Sequence, residues 1–298
     1  MKIAGLTTEM RNKASMDIDK KSTFEMLQII NEEDKKVAYA VENVLEDVAY
    51  AVDLIYKALK SGGRLFYVGA GTSGRIGIMD SSECVPTFMV SEDLIQTIMA
   101  GGKQAIMHAV EGAEDNEYQG GLDVIERKVT DKDVVIGITA SGRTPYPIGA
   151  LKEAQSIGAH TISLTCNKAA MISKHADCSI EVIVGPEILT GSTRMKAATS
   201  HKMILNMIST SVMIKLGKVY ENLMVDVNAN NVKLKERAKR IVMDITNSTY
   251  EEAEEVLEKT GYQVKVAVVM MLTQTSYEQA KYSLMEHKGY VREAIQSL

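Results

Sequence analysis

The stretch RLFYVGAGTSGR, residues 64–75, joins a short apolar run to a glycine-rich loop. Comparable runs occur at residues 133–138, 160–164 and 179–184, and a shorter one lies at residues 96–99. The runs are rich in β-branched residues, and most are separated by stretches long enough for a helix. Because continuous apolar strands that alternate with helices form parallel sheets covered on both faces, the sequence predicts an α/β fold with a doubly wound parallel sheet.

The regions that flank these strands predict helices. Across residues 24–59, apolar side chains recur every three or four positions, and Ser22 and Thr23 are the candidate N-caps. Residues 251–298 are typical of three short helices, interrupted at Gly261 and Gly289. We therefore expect N-terminal helices before the sheet and a small helical domain after it.

These patterns divide the 298 residues into three expected regions. Residues 1–56 are an N-terminal arm with helices that pack on a sheet domain at residues 57–220. Residues 221–298 are a C-terminal helical region that ends in a small three-helix domain. Parallel sheets of this kind bind ligands outside the carboxyl ends of their strands, so the loops that follow the strands are the candidates for a site.

Composition narrows the possible functions. Lys and Arg total 34 against 39 for Asp and Glu, and a formal net charge of -5 argues against general nucleic-acid or anionic-membrane binding. No apolar run approaches the roughly 18 residues of a membrane span, and residues 1–11 lack a signal-peptide core, so we expect a cytoplasmic protein. Cys84, Cys166 and Cys178 form neither a disulfide framework nor a zinc motif, which predicts no metal site.

Loop 1, GAGTSGR at residues 69–75, matches the GxGxxG dinucleotide fingerprint. The acidic residues near the expected distance, Glu92 and Asp93, precede the second strand instead of ending it. The hydroxyls of Thr72 and Ser73 at a helix start suit a phosphate monoester better than a dinucleotide. A glycine turn with a hydroxyl cap is the alternative interpretation.

Two further loops repeat this composition. Loop 2, TASGRTP at residues 139–145, follows another apolar strand, and Pro145 suits the first turn of the next helix. Loop 3, GSTRMK at residues 191–196, again places hydroxyls and cations where a helix begins, and the helix dipole favours an anion there. Loop 3 is equally well explained as an N-cap with solvated basic residues. Loops 1 and 2 together predict a site for a phosphorylated small molecule.

Two glutamates are candidates for acid–base chemistry. Glu83 lies between Ser82 and Cys84 just before an apolar run, so we expect it to be partly buried. Glu114 lies in the acidic segment EGAEDNE, residues 111–117, where an exposed charge is the simpler interpretation. Two carboxyl groups in one pocket can divide acid and base roles if their environments separate their pKa values. Their spacing alone does not predict that they meet.

The motifs together resemble those of N-acetylmuramic acid 6-phosphate etherases, which belong to the sugar-isomerase (SIS) superfamily. The resemblance covers essentially the whole chain, whereas loops 1 and 2 alone would indicate only the superfamily. The segments that carry it are LTTEMRN at 6–12, GAGTSGR at 69–75, DSSECVP at 80–86, EGAED at 111–115, ITASGRTP at 138–145, GSTRMK at 191–196 and NMIST at 206–210.

The resemblance implies a three-layer SIS sandwich that works as a homodimer without a metal or redox cofactor. It also implies cleavage of the lactyl ether of a phosphorylated amino sugar, N-acetylmuramic acid 6-phosphate, in the recycling or catabolism of cell-wall sugars. By the same resemblance, Glu83 is the acid that protonates the departing lactate, and Glu114 is the base at C2. The implied substrate-binding residues are Gly71, Thr72, Ser73, Ser141, Gly142 and Thr144, with Ser192, Thr193 and Lys196 as further candidates.

Three other functions fit parts of the pattern. A sugar-phosphate isomerase of the same fold would share the phosphate loops but would not need a second glutamate for a leaving group. A non-catalytic sugar-phosphate sensor is the second alternative, although its known form has a doubled module and this chain has room for one. The third alternative is a nicotinamide dehydrogenase, which only the glycine pattern of loop 1 supports.

Overall fold

The computed structural model describes residues 5–298. Its main sheet has five parallel strands in the order β2-β1-β3-β4-β5, and each predicted run forms one of them. β1 and β3 are buried along their whole length, as the continuous apolar runs predict for a sheet covered on both faces. The strands are β1 (Leu65–Gly69), β2 (Ile95–Met99), β3 (Val134–Thr139), β4 (His160–Thr165) and β5 (Cys178–Glu181).

Helices alternate with these strands and continue after them, which confirms the doubly wound α/β fold. They are α1 (Thr23–Glu42), α2 (Leu45–Lys60), α3 (Gly71–Phe88), α4 (Gln104–Met107), α5 (Glu117–Glu126), α6 (Pro145–Ile157), α7 (Lys196–Lys215), α8 (Val232–Thr246), α9 (Tyr250–Lys259), α10 (Val264–Thr273), α11 (Tyr277–Glu286) and α12 (Val291–Gln296). Short 3₁₀ turns occupy Thr7–Glu9, Lys13–Ser15, Ile18–Lys20, Ala113–Asp115 and Ile172–His175.

The chain forms two compact units. The first contains the residues up to Ser82 together with Glu92–Ser209, and the second contains Glu83–Ser91 and Thr210–Leu298. In the first unit, α6 packs on β1, β3 and β4, and α5 packs on α6. Of the two candidate N-caps of α1, Ser22 takes the role, because its hydroxyl accepts from the Glu25 amide and the Glu25 carboxylate accepts from the Ser22 amide.

The second unit contains more helices than the sequence pattern predicted. Four helices, α9 to α12, occupy the stretch 251–298 where three were expected, so that prediction was wrong. The missed break follows α10 at Gln274, whose φ of +55° ends the helix in a left-handed conformation that a non-glycine residue seldom signals. A two-strand hairpin, β6 (Val219–Tyr220) and β7 (Leu223–Met224), was also not predicted.

The strand order fixes where a ligand can bind. From β1 the chain moves outward to β2 and then returns to β3 on the other side of β1. The connections therefore diverge between β1 and β3, and in open α/β sheets the crevice at such a switch point is the usual ligand site. Loops 1 and 2 follow these two strands, so the topology brings the two hydroxyl-rich loops side by side.

Candidate active site

A cavity of about 250 Å³ lies at this switch point. It brings together most of the residues predicted for substrate binding, one of the two predicted catalytic glutamates, and several residues that were not predicted. The predicted residues in its lining are Gly71, Thr72, Ser73, Glu114, Ser141, Thr144 and Thr193, and the other residues that line it include Glu9, Asp115 and Thr139.

Loop 1 is a tight turn between β1 and α3. A Cβ atom on Gly69 would lie 2.8 Å from the Gly74 amide nitrogen, so only glycine allows the strand and helix to approach this closely. α3 begins at Gly71, and the side chains of Thr72 and Ser73 line the cavity from its first turn. Backbone amides at a helix start carry partial positive charge, so this end of the cavity is suited to an anion.

Loop 2 contributes a cluster of hydroxyl groups. Thr139 Oγ1 lies 2.8 Å from Thr144 Oγ1 and 3.3 Å from Ser141 Oγ. The Arg143 amide donates to Ser141 Oγ at 3.1 Å, which fixes the direction of that hydroxyl. Hydroxyls can both donate and accept, so the cluster can donate to phosphate oxygens while its members remain bonded to one another.

Gly142 shapes loop 2 without lining the cavity. It is buried with φ of +70°, and a Cβ atom there would lie 2.4 Å from the Cβ of Ala170. Its conformation and surroundings therefore require glycine. The structure supports a role in the turn rather than direct contact with a ligand.

Loop 3 differs from the expectation. Thr193 lines the cavity, but Ser192 and Lys196 do not. The first amides of α7 are already occupied, because the amides of Lys196 and Ala197 each donate at 2.9 Å to the buried carboxylate of Glu187. A carboxylate of the protein thus takes the position that the helix start would offer to an anion.

The side chain of Lys196 is also committed to a protein partner. It is 1% exposed, and Nζ donates to Glu33 Oε2 at 2.6 Å. Although burial acts to raise it, hydrogen bonds from Lys196 and Lys36 lower the pKa of Glu33 to about 2. The geometry places Lys196 in a buried ion pair between α1 and α7, and not in the predicted binding role.

Glu114 lies where an acid–base residue of the cavity could act. It belongs to the 3₁₀ turn Ala113–Asp115, which follows Gly112 with its left-handed φ of +73°. Both Glu114 and Asp115 are exposed and line the cavity. The turn therefore presents two carboxylates next to the hydroxyls of loops 1 and 2.

Glu83 does not line this cavity. It lies on α3 nearly three helical turns beyond Ser73. Its side chain is exposed, so the expected partial burial was wrong, whereas the adjacent Cys84 is buried. Glu83 belongs to the second compact unit, whereas Glu114 belongs to the first.

Glu9 is the main cavity residue that sequence reasoning missed as a site residue. It lies on the first 3₁₀ turn, Thr7–Glu9, in a segment without the periodicity of a helix or strand. The segment LTTEMRN contributed to the family resemblance, but nothing in its pattern predicted that it folds against the carboxyl edge of the sheet.

Across residues 5–298, no group of three or more His, Cys, Asp or Glu side chains is arranged to hold a metal ion. Within the same residues, no helix has both the length and the apolar character needed to cross a bilayer.

Comparisons with known folds agree with this architecture. The model of the glucokinase regulatory protein N-terminal SIS domain matches residues 47–155, and the SIS domain model matches residues 109–211. The phosphoheptose isomerases of Neisseria gonorrhoeae and Francisella tularensis are similar in structure, with TM-scores of 0.51 and 0.52. Each covers 64% of this chain and 98% of its own, at 19% and 18% sequence identity respectively, which is a likeness of fold alone.

Relatives found by sequence share many more residues with this chain than these two structures do. The N-acetylmuramic acid 6-phosphate etherase of Bacillus subtilis (strain 168) is 56% identical over 98% of this chain and 96% of its own length. That of Clostridium beijerinckii is 53% identical over 100% of this chain and 98% of its own. Since more than half of the residues are shared over nearly the full length of both relatives, the chain belongs to the N-acetylmuramic acid 6-phosphate etherase family.

Proposed function

We propose that this protein cleaves the D-lactyl ether of N-acetylmuramic acid 6-phosphate and releases N-acetylglucosamine 6-phosphate and D-lactate. The observation that carries the proposal is the family membership, at 56% identity to a relative of that name over nearly the whole chain. The cavity supports it, since it combines a phosphate-compatible set of hydroxyls with carboxylates that can move protons.

The phosphate binds at loops 1 and 2. The hydroxyls of Thr72, Ser73, Ser141 and Thr144 donate to its oxygens, together with amides at the start of α3. Hydrogen bonds to a charged group are worth about 1.5–3 kcal/mol each. The phosphate thereby holds the sugar in place while the ether, at the other end of the molecule, reacts.

The chemistry explains why two carboxyl groups are needed. An alkyl ether is a poor leaving group, but the open-chain aldehyde makes the C2 proton acidic. Glu114 removes that proton, the C2–C3 double bond forms, and the C3–O bond breaks as Glu83 donates a proton to the lactate oxygen. Water then adds across the double bond, with its hydroxyl on C3 and its proton on C2. Each assisted proton transfer contributes about 10²–10⁴-fold in rate.

A homodimer would reconcile this mechanism with the position of Glu83. Glu83 is exposed and lies outside the lining of its own chain's cavity, yet the departing lactate needs an acid. We infer that each active site is completed at a subunit interface, where Glu83 of the partner subunit approaches the cavity. The enzyme would act in the cytoplasm, on cell-wall amino sugars, with no metal or redox cofactor.

The decisive experiment is an assay of D-lactate release with EDTA present. We expect release from N-acetylmuramic acid 6-phosphate and none from the unphosphorylated sugar, because the phosphate is the group held by loops 1 and 2. Binding without release would contradict the etherase and favour a sensor, and aldose–ketose conversion of a sugar phosphate without lactate release would favour an isomerase.

A further inference from the structure

The segment that carries Glu9 is held against the sheet by long-range hydrogen bonds. The Thr7 amide donates to Asn167 Oδ1 at 2.7 Å, and Asn167 Nδ2 donates to Thr8 Oγ1 at 3.2 Å. Asn167 also donates to the Ala140 carbonyl of loop 2 at 2.9 Å, and its side chain is 2% exposed. One buried amide thus ties the Glu9 turn directly to the loop that forms the hydroxyl cluster.

The stretch just before loop 3 also binds the N-terminal segment. Asn12 Nδ2 donates to the Pro186 carbonyl at 3.1 Å, and Ser15 Oγ donates to the Ile188 carbonyl at 2.7 Å. Glu9 Oε2 lies 3.4 Å from where a Cβ atom of Gly191 would be, so its carboxylate is seated beside the backbone of loop 3. The Glu9 carboxylate is therefore positioned by the fold at the cavity wall.

The Glu9 carboxylate has acceptor capacity that the described residues do not use. Among residues 5–298, no donor forms a hydrogen bond or ion pair with it, although it lines the cavity. Glu187, by contrast, accepts from two backbone amides, and Glu33 accepts from two lysines. A preorganised carboxylate with free lone pairs in a binding cavity is suited to accept a hydrogen bond from a ligand.

The chemistry of the substrate limits which group can meet this carboxylate. A phosphate would be repelled by Glu9 and is served by the donors of loops 1 and 2. The base acts at C2 and the ether leaves from C3. Between these carbons and the phosphate on C6, the C4 hydroxyl is the donor that stays free whether the sugar ring is closed or open.

We propose that Glu9 determines substrate specificity by accepting a hydrogen bond from the C4 hydroxyl of the sugar. The inference rests on the proposed function and adds a residue of the N-terminal segment to its binding site. Thr8 and Asn167 are then positioning residues, since they act on the sugar only by holding the Glu9 turn.

The test compares the substrate with its 4-deoxy analogue in the wild-type enzyme and in Glu9→Ala. We expect the wild type to lose about 10- to 100-fold in kcat/KM on the analogue, because a hydrogen bond to a charged group is lost. In Glu9→Ala the two substrates should give nearly equal kcat/KM. Glu9→Gln keeps one acceptor oxygen and should retain an intermediate preference, which covers the case of Glu9→Ala failing to fold.

Two further variants separate specificity from general damage. Asn167→Ala should reduce the preference for the C4 hydroxyl because it releases the Glu9 turn, whereas Glu42→Gln, an exposed glutamate at the end of α1, should keep the full preference. Full wild-type preference in Glu9→Ala, or equal use of both substrates by the wild type, would overturn the proposal.

Binding measurements distinguish this failure from failure of the proposed function. Calorimetry with N-acetylglucosamine 6-phosphate and its 4-deoxy analogue should show the same loss of preference in Glu9→Ala without any turnover. Absence of D-lactate release by the wild type would defeat the etherase, while the binding ratio would still support or overturn the role of Glu9.

Discussion

The starts of α3 and α7 make an instructive comparison. Both helices follow loops of glycine and hydroxyl residues, and both loops raise the same expectation of an anion site. At α3, Thr72 and Ser73 line the cavity. At α7, the carboxylate of Glu187 already accepts from the first amides, and Lys196 is buried against Glu33.

The difference lies in what the rest of the chain places at each helix start. The dipole of α7 attracts negative charge as expected, but the negative charge is the protein's own. The start of α3 is therefore available to bind a ligand. At the start of α7, Lys196 instead pairs with Glu33 of α1 and so helps to hold that helix in place. Changes near α3 should therefore affect turnover, and changes near α7 should affect stability.

The largest expected effect is on turnover at the cavity beside the start of α3. Glu114→Gln should lower D-lactate release by about 10²–10⁴-fold, because the amide cannot remove the C2 proton, and Glu83→Gln should do so because lactate leaves unprotonated. The affinity for N-acetylglucosamine 6-phosphate, measured by calorimetry, should change little in either variant. Unchanged turnover in either variant would remove that residue from the mechanism.

Mixing the two inactive variants tests the composite site. If Glu83 and Glu114 act from different subunits, a mixed dimer has one intact site, and unfolding and refolding the two variants together should restore part of the activity. If they act from one subunit, every site in the mixed dimer lacks a carboxylate and activity stays absent. Refolding each variant alone is the control.

At the start of α7, the expected effect is on stability. Lys196→Met leaves the buried Glu33 without its buried cation and should lower the free energy of unfolding by about 3 kcal/mol. The matched control is Lys35→Met, which breaks the exposed pair with Glu32 and should cost less than about 1 kcal/mol. Urea denaturation measures both, and equal effects would contradict the buried pair.

The same ion pair predicts a pH dependence. Because the pKa of Glu33 falls from 4.5 to about 2 on folding, its stabilising contribution is complete above pH 4.5 and is lost as the pH falls toward 2. The difference in unfolding free energy between the wild type and Glu33→Gln should shrink by about 2 kcal/mol from pH 7 to pH 3. A constant difference would show that Glu33 titrates normally in the folded state.

The sequence predicted the parts of this molecule that local patterns determine. Continuous apolar runs identified five strands, and the glycines and hydroxyls that follow two of them located loops 1 and 2. These features could be predicted because strand burial and turn geometry are imposed by neighbouring residues.

The unpredicted features depend on contacts between distant parts of the chain. Glu9 lines the cavity because Thr7 forms a hydrogen bond with Asn167, 160 positions away. Lys196 does not line the cavity because its side chain pairs with Glu33, 163 positions away. No local pattern reports such pairings. The roles of Glu83 and Glu114 came from the family resemblance, and they stay predictions until the variants are measured.

The smallest expected effect is on KM, and it compares one hydroxyl of loop 2 with one hydroxyl of α7. Thr144→Ala removes one donor of loop 2 and should raise the KM for N-acetylmuramic acid 6-phosphate by about 10-fold, the low end of the roughly 1.5–3 kcal/mol of a hydrogen bond to a charged group, because the other donors still hold the phosphate. Thr199→Ala is the matched change on α7, where the hydroxyl donates to the Met195 carbonyl at 2.9 Å and is exposed. Thr199→Ala should leave KM unchanged, because we expect no group at the start of α7 to contact the phosphate. An equal rise in both variants would mean that loop 2 is not the phosphate site.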